Sequence, residues 1–166
     1  MYTFVGNAQD YEKFKLGLGV GYAYGNGDHS FSGGGGALLA LEPAYRASNN
    51  LAIGLRLEAA AYGTGNGAGF PGGFASISIT SQYYFSSELF RPFVGAGFGS
   101  YLGSGESEFG FYPRLGFDLG HFTMEVEYNL IPVGSSNYDY FTNTFSRSSA
   151  YYLGIRIGGF FFGGKK

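Results

Sequence analysis

The sequence predicts an all-β protein: an eight-stranded antiparallel up-and-down barrel that crosses a membrane through its wall. Three observations carry this. Eight segments alternate strictly between large apolar residues and small or charged ones. No Asp, Glu, Lys or Arg falls on the apolar parity of any segment. Along that parity, aromatics gather towards the strand ends and aliphatic residues towards the middle. Side chains of a strand alternate between faces, so a strict two-residue period gives each strand one apolar face and one small or polar face.

The first segment, 13–25, sets Phe14, Leu16, Leu18, Val20, Tyr22 and Tyr24 against Lys13, Lys15, Gly17, Gly19, Gly21, Ala23 and Gly25. Segment 37–47 opposes Leu39, Leu41 and Tyr45 to Leu38, Ala40, Glu42 and Arg46. Segment 51–62 opposes Leu51, Ile53, Leu55 and Leu57 to Gly54, Arg56 and Glu58. In 74–85, Ile77, Ile79, Tyr83 and Phe85 face away from Ser76, Ser78, Thr80, Gln82 and Tyr84. Segment 91–102 opposes Val94, Ala96, Phe98 and Leu102 to three glycines and Tyr101. Segment 109–119 sets Phe109, Phe111, Leu115, Phe117 and Leu119 against Tyr112, Arg114, Gly116 and Asp118. In 122–131, Phe122, Met124, Val126, Tyr128 and Leu130 oppose Glu125, Glu127 and Asn129. The last, 150–161, opposes Tyr151, Leu153, Ile155, Ile157 and Phe161 to Tyr152, Gly154, Arg156 and Phe160. Each matches a tilted membrane crossing of about 9–11 residues.

The connections alternate in length. Short ones are expected near 48–50, 86–90 and 119–121, longer ones near 26–36, 63–73, 103–108 and 133–149. Short turns at one end and loops at the other are the rhythm of an up-and-down barrel. Pro43 and Pro113 fall inside strands and imply bulges or locally broken pairing, whereas Pro92 and Pro132 suit strand ends.

Composition agrees with a lipid-facing wall. Charged residues make up 13% of the 166-residue chain, against ~25% in soluble domains. Net charge is −2, which gives nucleic acid no electrostatic footprint. The absence of cysteine excludes disulfides, thiolate metal sites and a Cys nucleophile. The opening MYTFVGNAQD lacks the basic and apolar regions of a signal peptide, and no apolar run is long enough for a membrane helix. The expected organisation is a tail over 1–10, a barrel over 11–162 and a tail over 163–166.

Half of the 22 charged residues lie on the small-residue parity within strands: Lys13, Lys15, Glu42, Arg46, Arg56, Glu58, Arg114, Asp118, Glu125, Glu127 and Arg156. With the apolar face outward, all of them point into a narrow lumen, where charges must pair. Arg56, Arg114 and Arg156 are expected to pair with Glu42, Glu58, Glu125 and Glu127, giving a filled lumen rather than a channel.

The stretches RPFVGAGFG (91–99) and FYPRLGFDLGHFTMEVEYNLIP (111–132), with the apolar, aromatic last strand, resemble small bacterial outer-membrane barrels of the OmpA/OmpX/OmpW-like group. The resemblance implies an outer-membrane barrel with short periplasmic turns, longer extracellular loops, both termini periplasmic and a lipopolysaccharide outer leaflet around it. It implies no single activity.

Chemistry-bearing residues are sparse. Asp28, His29 and Ser30 adjoin in one loop, a poor geometry for a converging triad, and His121 lies at the opposite end. Asp28, His29, Glu106 and Glu108 could hold a metal only if two loops met. No catalytic site, cofactor or metal is expected. The connection 133–149 carries Tyr138, Tyr140, Phe141 and Phe145, residue types that anchor protein interfaces. The leading expectation is a non-enzymatic envelope barrel that binds a partner through such loops. OmpW-like transport of small hydrophobic solutes is the alternative, and a lipid A-modifying enzyme ranks below both.

Overall fold

The computed structural model describes residues 11–26, 34–62, 72–103, 107–139 and 144–163. Eight strands follow one another: β1 (Phe14–Asn26), β2 (Gly34–Arg46), β3 (Leu51–Tyr62), β4 (Gly72–Tyr84), β5 (Phe90–Leu102), β6 (Ser107–Leu119), β7 (Phe122–Asp139) and β8 (Thr144–Phe162). Each pairs antiparallel with its neighbours in sequence, and β8 pairs with β1 to close the ring. Closure satisfies every strand edge, the condition a sheet must meet in hydrocarbon. Among the described residues no helix is long and apolar enough to cross a membrane.

Alternation sets the faces. Ile79, Phe98, Leu115, Ile155 and Ile157 stand outward and exposed, while Ser78, Gly97, Arg114 and Arg156 on the same strands point inward. The outward aromatics include Tyr22, Tyr24, Phe109 and Phe111 towards one end and Tyr45, Tyr83, Phe85 and Phe161 towards the other. These are the two girdles of a membrane barrel, with aliphatic residues between them.

Inward glycines leave room for long side chains. A Cβ at Gly19 would lie 2.6 Å from Arg156 Cδ, and one at Gly97 would lie 2.2 Å from the Tyr112 ring, its cross-strand partner. The β6–β7 turn is only Gly120 and His121, and Gly120 takes a φ of 60° that suits glycine.

Several expectations change. Lys13 precedes β1 and is exposed, so it lies outside the lumen. The expected loop at 133–149 is mostly strand, since β7 and β8 run on to pair Tyr138 with Phe145, and β6 begins at Ser107, taking in the last two residues of the expected loop at 103–108. The reason is that the ladder continues past the membrane-length segment, where polar residues still pair in a sheet. Pro132 sits within β7, at a register shift between Pro132 and Ser136, rather than at a strand end. Pro43 and Pro113 break pairing locally without shifting register: β2–β3 resumes at Ala44↔Gly54 and β6–β7 at Arg114↔Glu127. A second shift, at Leu16/Gly17, leaves Phe161 and Phe162 both outward. The expected tail residues 1–10 and 164–166 lie outside the described residues.

Candidate functional site

The lumen is filled in three levels. At mid-height sit three arginines and four glutamates, drawn from β2, β3, β6, β7 and β8. Arg56 donates from Nε to Glu42 Oε2 at 3.0 Å and from Nη2 to Glu125 Oε1 at 2.7 Å, and pairs with Glu127 through Nη1. Arg114 grips Glu42 with both terminal nitrogens, each at 2.8 Å from a different oxygen. This two-point geometry is the strong form of the arginine–carboxylate pair. Arg156 pairs with Glu125, and its guanidinium lies 3.6 Å from Glu58.

Three of these pairs span the barrel, the Arg56–Glu125 pair among them. Arg56 on β3 reaches Glu127 on β7, and Arg114 on β6 reaches Glu42 on β2. Each pair joins strands four places apart in a ring of eight, which are opposite walls. The shared carboxylates matter because a buried guanidinium without a partner costs several kcal/mol. The glutamates are further satisfied by neutral donors. Tyr152 OH donates to Glu58, and Asn129 Nδ2 donates to Glu127 at 3.2 Å.

Above this level lies an aromatic cap of Phe74, Tyr101 and Tyr152, with Leu38, Ile131 and inward alanines around it. The Phe74 ring centre is 5.0 Å from that of Tyr152 and 5.7 Å from that of Tyr101. Tyr101 OH donates to Asn129 Oδ1 at 2.6 Å, tying the cap to the charged level.

Below it, Lys15 Nζ pairs with Asp118 Oδ2 at 2.8 Å and lies 4.5 Å from the Phe160 ring centre. Tyr84 OH stands 3.0 Å from Asp118 Oδ2 and 3.2 Å from Gln82 Oε1, with one proton to serve both. Between the lower and middle levels a cavity of about 30 Å³ is lined by Lys15, Glu42, Gln82, Thr123, Glu125 and Arg156. That is room for about one or two waters.

The structure therefore brings together Glu42, Arg56, Glu58, Arg114, Glu125, Glu127 and Arg156, and holds Lys15 with Asp118 in a separate pair. Arg46 belongs to neither: it lies at the short-turn mouth and donates to the carbonyls of Gly163 and Glu12. Arg91 is the inward charge that strand-end position concealed. It shares the parity of Phe93, Gly95 and Tyr101, and its side chain is buried against two tyrosine rings. Parity was the signal that could have found it. Asp28, His29, Ser30, Glu106, Tyr140 and Phe141 lie outside the described residues, and the side chains of Tyr138 and Phe145 are likewise not described. Among the described residues, no cluster of His, Asp or Glu could hold a metal ion. His121 is at the β6–β7 turn, its Nδ1 2.8 Å from the Phe160 carbonyl oxygen.

A closed ring of eight antiparallel strands, apolar outside and ion-paired inside, defines a small transmembrane β-barrel. No protein-family model and no curated protein sequence matches the chain. Solved structures do. The crystal structure of Neisserial surface protein A is similar over 90% of this chain and 97% of that one, at 14% identity and a TM-score of 0.60. Ail, the attachment invasion locus protein of Yersinia pestis, in complex with the heparin analogue sucrose octasulfate, aligns over 90% of this chain and all of that one, at 14% identity and a TM-score of 0.48. The N-terminal β-barrel domain of Pseudomonas aeruginosa OprF covers 92% of this chain and 99% of its own, at 11% identity and a TM-score of 0.46. The likeness to the Neisserial protein is one of fold.

Proposed function

We propose that this is a non-enzymatic barrel of the bacterial outer membrane whose ion-paired lumen closes it to axial passage, and which serves envelope structure or grips a partner at its long-loop end. One observation carries the reading: the full-diameter pairs Arg56–Glu125, Arg56–Glu127 and Arg114–Glu42 cross the lumen at mid-height. An ion or a hydrophobic solute moving along the axis would have to break them. In planar bilayers the purified barrel is expected to give no steady conductance. A stable open channel, altered by Arg56→Met or Arg114→Met, overturns the closed-lumen reading.

The partner role rests on the last hairpin. β7 and β8 contain 18 and 19 residues against 12 or 13 in the other strands, so among the described residues the paired strands of this hairpin extend furthest at the long-loop end. Replacing Tyr138, Tyr140 and Phe141 together with Ser is expected to leave the barrel folded and to remove a protein that co-purifies from native membranes. Loss of the barrel itself would make the hairpin structural and defeat this reading.

A further inference from the structure

The short-turn mouth of the lumen is occupied by residues that precede the first strand. Tyr11 stands three residues before β1, yet only 4% of it is exposed. Its ring packs against two guanidiniums, with Arg91 Cζ 3.9 Å and Arg46 Cζ 4.9 Å from the ring centre. Arg91 in turn lies 4.0 Å from the Tyr84 ring centre, and Arg46 lies 5.8 Å from that of Phe160. Cations and rings thus form one stack across the opening. The Tyr11 hydroxyl reaches the β4–β5 turn, 2.7 Å from the Glu88 carbonyl oxygen and 3.1 Å from that of Ser87.

The next two residues hold on elsewhere. Glu12 Oε2 accepts the Gly163 N–H at 3.3 Å, just after β8. The Lys13 carbonyl accepts the Arg46 N–H at 2.7 Å, at the end of β2. Three successive residues therefore tie the β4–β5 turn, the end of β8 and the end of β2 together beneath the lumen. Gly163 takes a φ of 95°, and a Cβ there would come within 2.7 Å of the Phe14 carbonyl oxygen.

We propose that residues 11–13 form a latch that seals the lower lumen, and that it opens independently of the barrel. The segment adds to the sheet only an isolated bridge at Tyr11: β1 begins at Phe14, and Glu12 and Lys13 are exposed. Its hold consists of a few hydrogen bonds and one ring, so it belongs to the low-stability end of the molecule. Behind it lie Tyr84, Lys15, Asp118 and Gln82. Opening admits water to this lower level, while the arginine–glutamate level above stays shut. The proposal stands on the mouth geometry alone. Conduction through the middle level would overturn the closed-lumen reading and leave the latch untouched.

The chain has no cysteine, so one introduced thiol is a sole reporter. Gln82→Cys places it in the lower lumen, to be modified by a charged, membrane-impermeant thiol reagent. Adding Tyr11→Ala is expected to raise the modification rate by ~10-fold or more, while Tyr11→Phe, which keeps the ring on the guanidiniums, stays within ~3-fold. Equal rates with and without Tyr11→Ala, in barrels folded by circular dichroism, overturn the latch. A second measurement needs no variant. In the unaltered protein the Arg46 amide, held by Lys13, should exchange faster than the amides paired in the middle of the β1–β2 ladder, and equal exchange would mean that the segment opens only with the barrel and also overturns it.

Discussion

The middle and lower levels of the lumen solve one problem in different ways. At mid-height, three arginines face four glutamates, and every guanidinium has a carboxylate within hydrogen-bonding reach. Near the short-turn mouth, Lys15, Arg46 and Arg91 are all buried, and Asp118 is the one buried carboxylate among the described residues there. There the cations rest on rings and on backbone carbonyls from turns: Arg91 donates to Ser86 and Asn49, and Arg46 to Gly163. Depth explains the contrast. Turns offer carbonyl oxygens that the strand ladder has already consumed at mid-height, so backbone acceptors share in holding the cations near the mouth. In the middle of the wall only side chains can supply the acceptor.

If this is right, breaking the middle level costs most. Arg56→Met removes the guanidinium shared by Glu42, Glu125 and Glu127, leaves Glu127 with only Asn129 and a 3.9 Å approach of Arg156, and should lower stability by about 3–5 kcal/mol, read from urea unfolding in lipid vesicles. An unchanged unfolding midpoint would mean that the middle pairs contribute nothing. Depth can also be tested from outside. Ile79, 65% exposed at the middle of β4, should cost about 2–4 kcal/mol as Ile79→Arg, whereas Tyr83→Arg near the short-turn girdle should cost ~0–1 kcal/mol. Equal costs would refute lipid contact along this wall. In the lower level, Asp118→Asn leaves Lys15 with Tyr84 and the Phe160 ring and should cost about 1.5–3 kcal/mol. A loss as large as that of Arg56→Met would break the depth argument. Within the lumen the smallest loss is expected for Tyr152→Phe, which removes one neutral donor from Glu58 and should cost about 0.5–1.5 kcal/mol by the same assay.

The middle level also bears on folding. Its members come from five strands, and the full-diameter pairs can form only when opposite walls are present. Such pairs need not add net stability over a well-packed apolar core. Their effect is to penalise any register that displaces one member. A one-residue slip of β3 would turn Arg56 into lipid and leave Leu55 or Leu57 among the carboxylates.

Which residues face lipid and which face the lumen was decided by the sequence alone, because the two-residue period is a property of any extended strand. Parity placed Arg56, Arg114 and Arg156 inside with Glu42, Glu125 and Glu127, and the lack of charge on the other parity assigned the apolar face to lipid. Parity says nothing about height or reach. Height depends on strand stagger, which comes from pairing around the whole ring and placed Lys15 with Asp118 below Arg56 with Glu127. Local pattern also misjudged ends: Lys13 shares the parity of Lys15 but precedes the ladder, and Arg91 was hidden by its place at the start of β5. The last hairpin read as a loop because its polar residues break the apolar alternation, while backbone pairing there continues regardless of side-chain type. Tyr11 carried no periodic signal at all. Its position beneath the lumen exists only because closure of the ring brings the ends of β2 and β8 and the β4–β5 turn to one mouth.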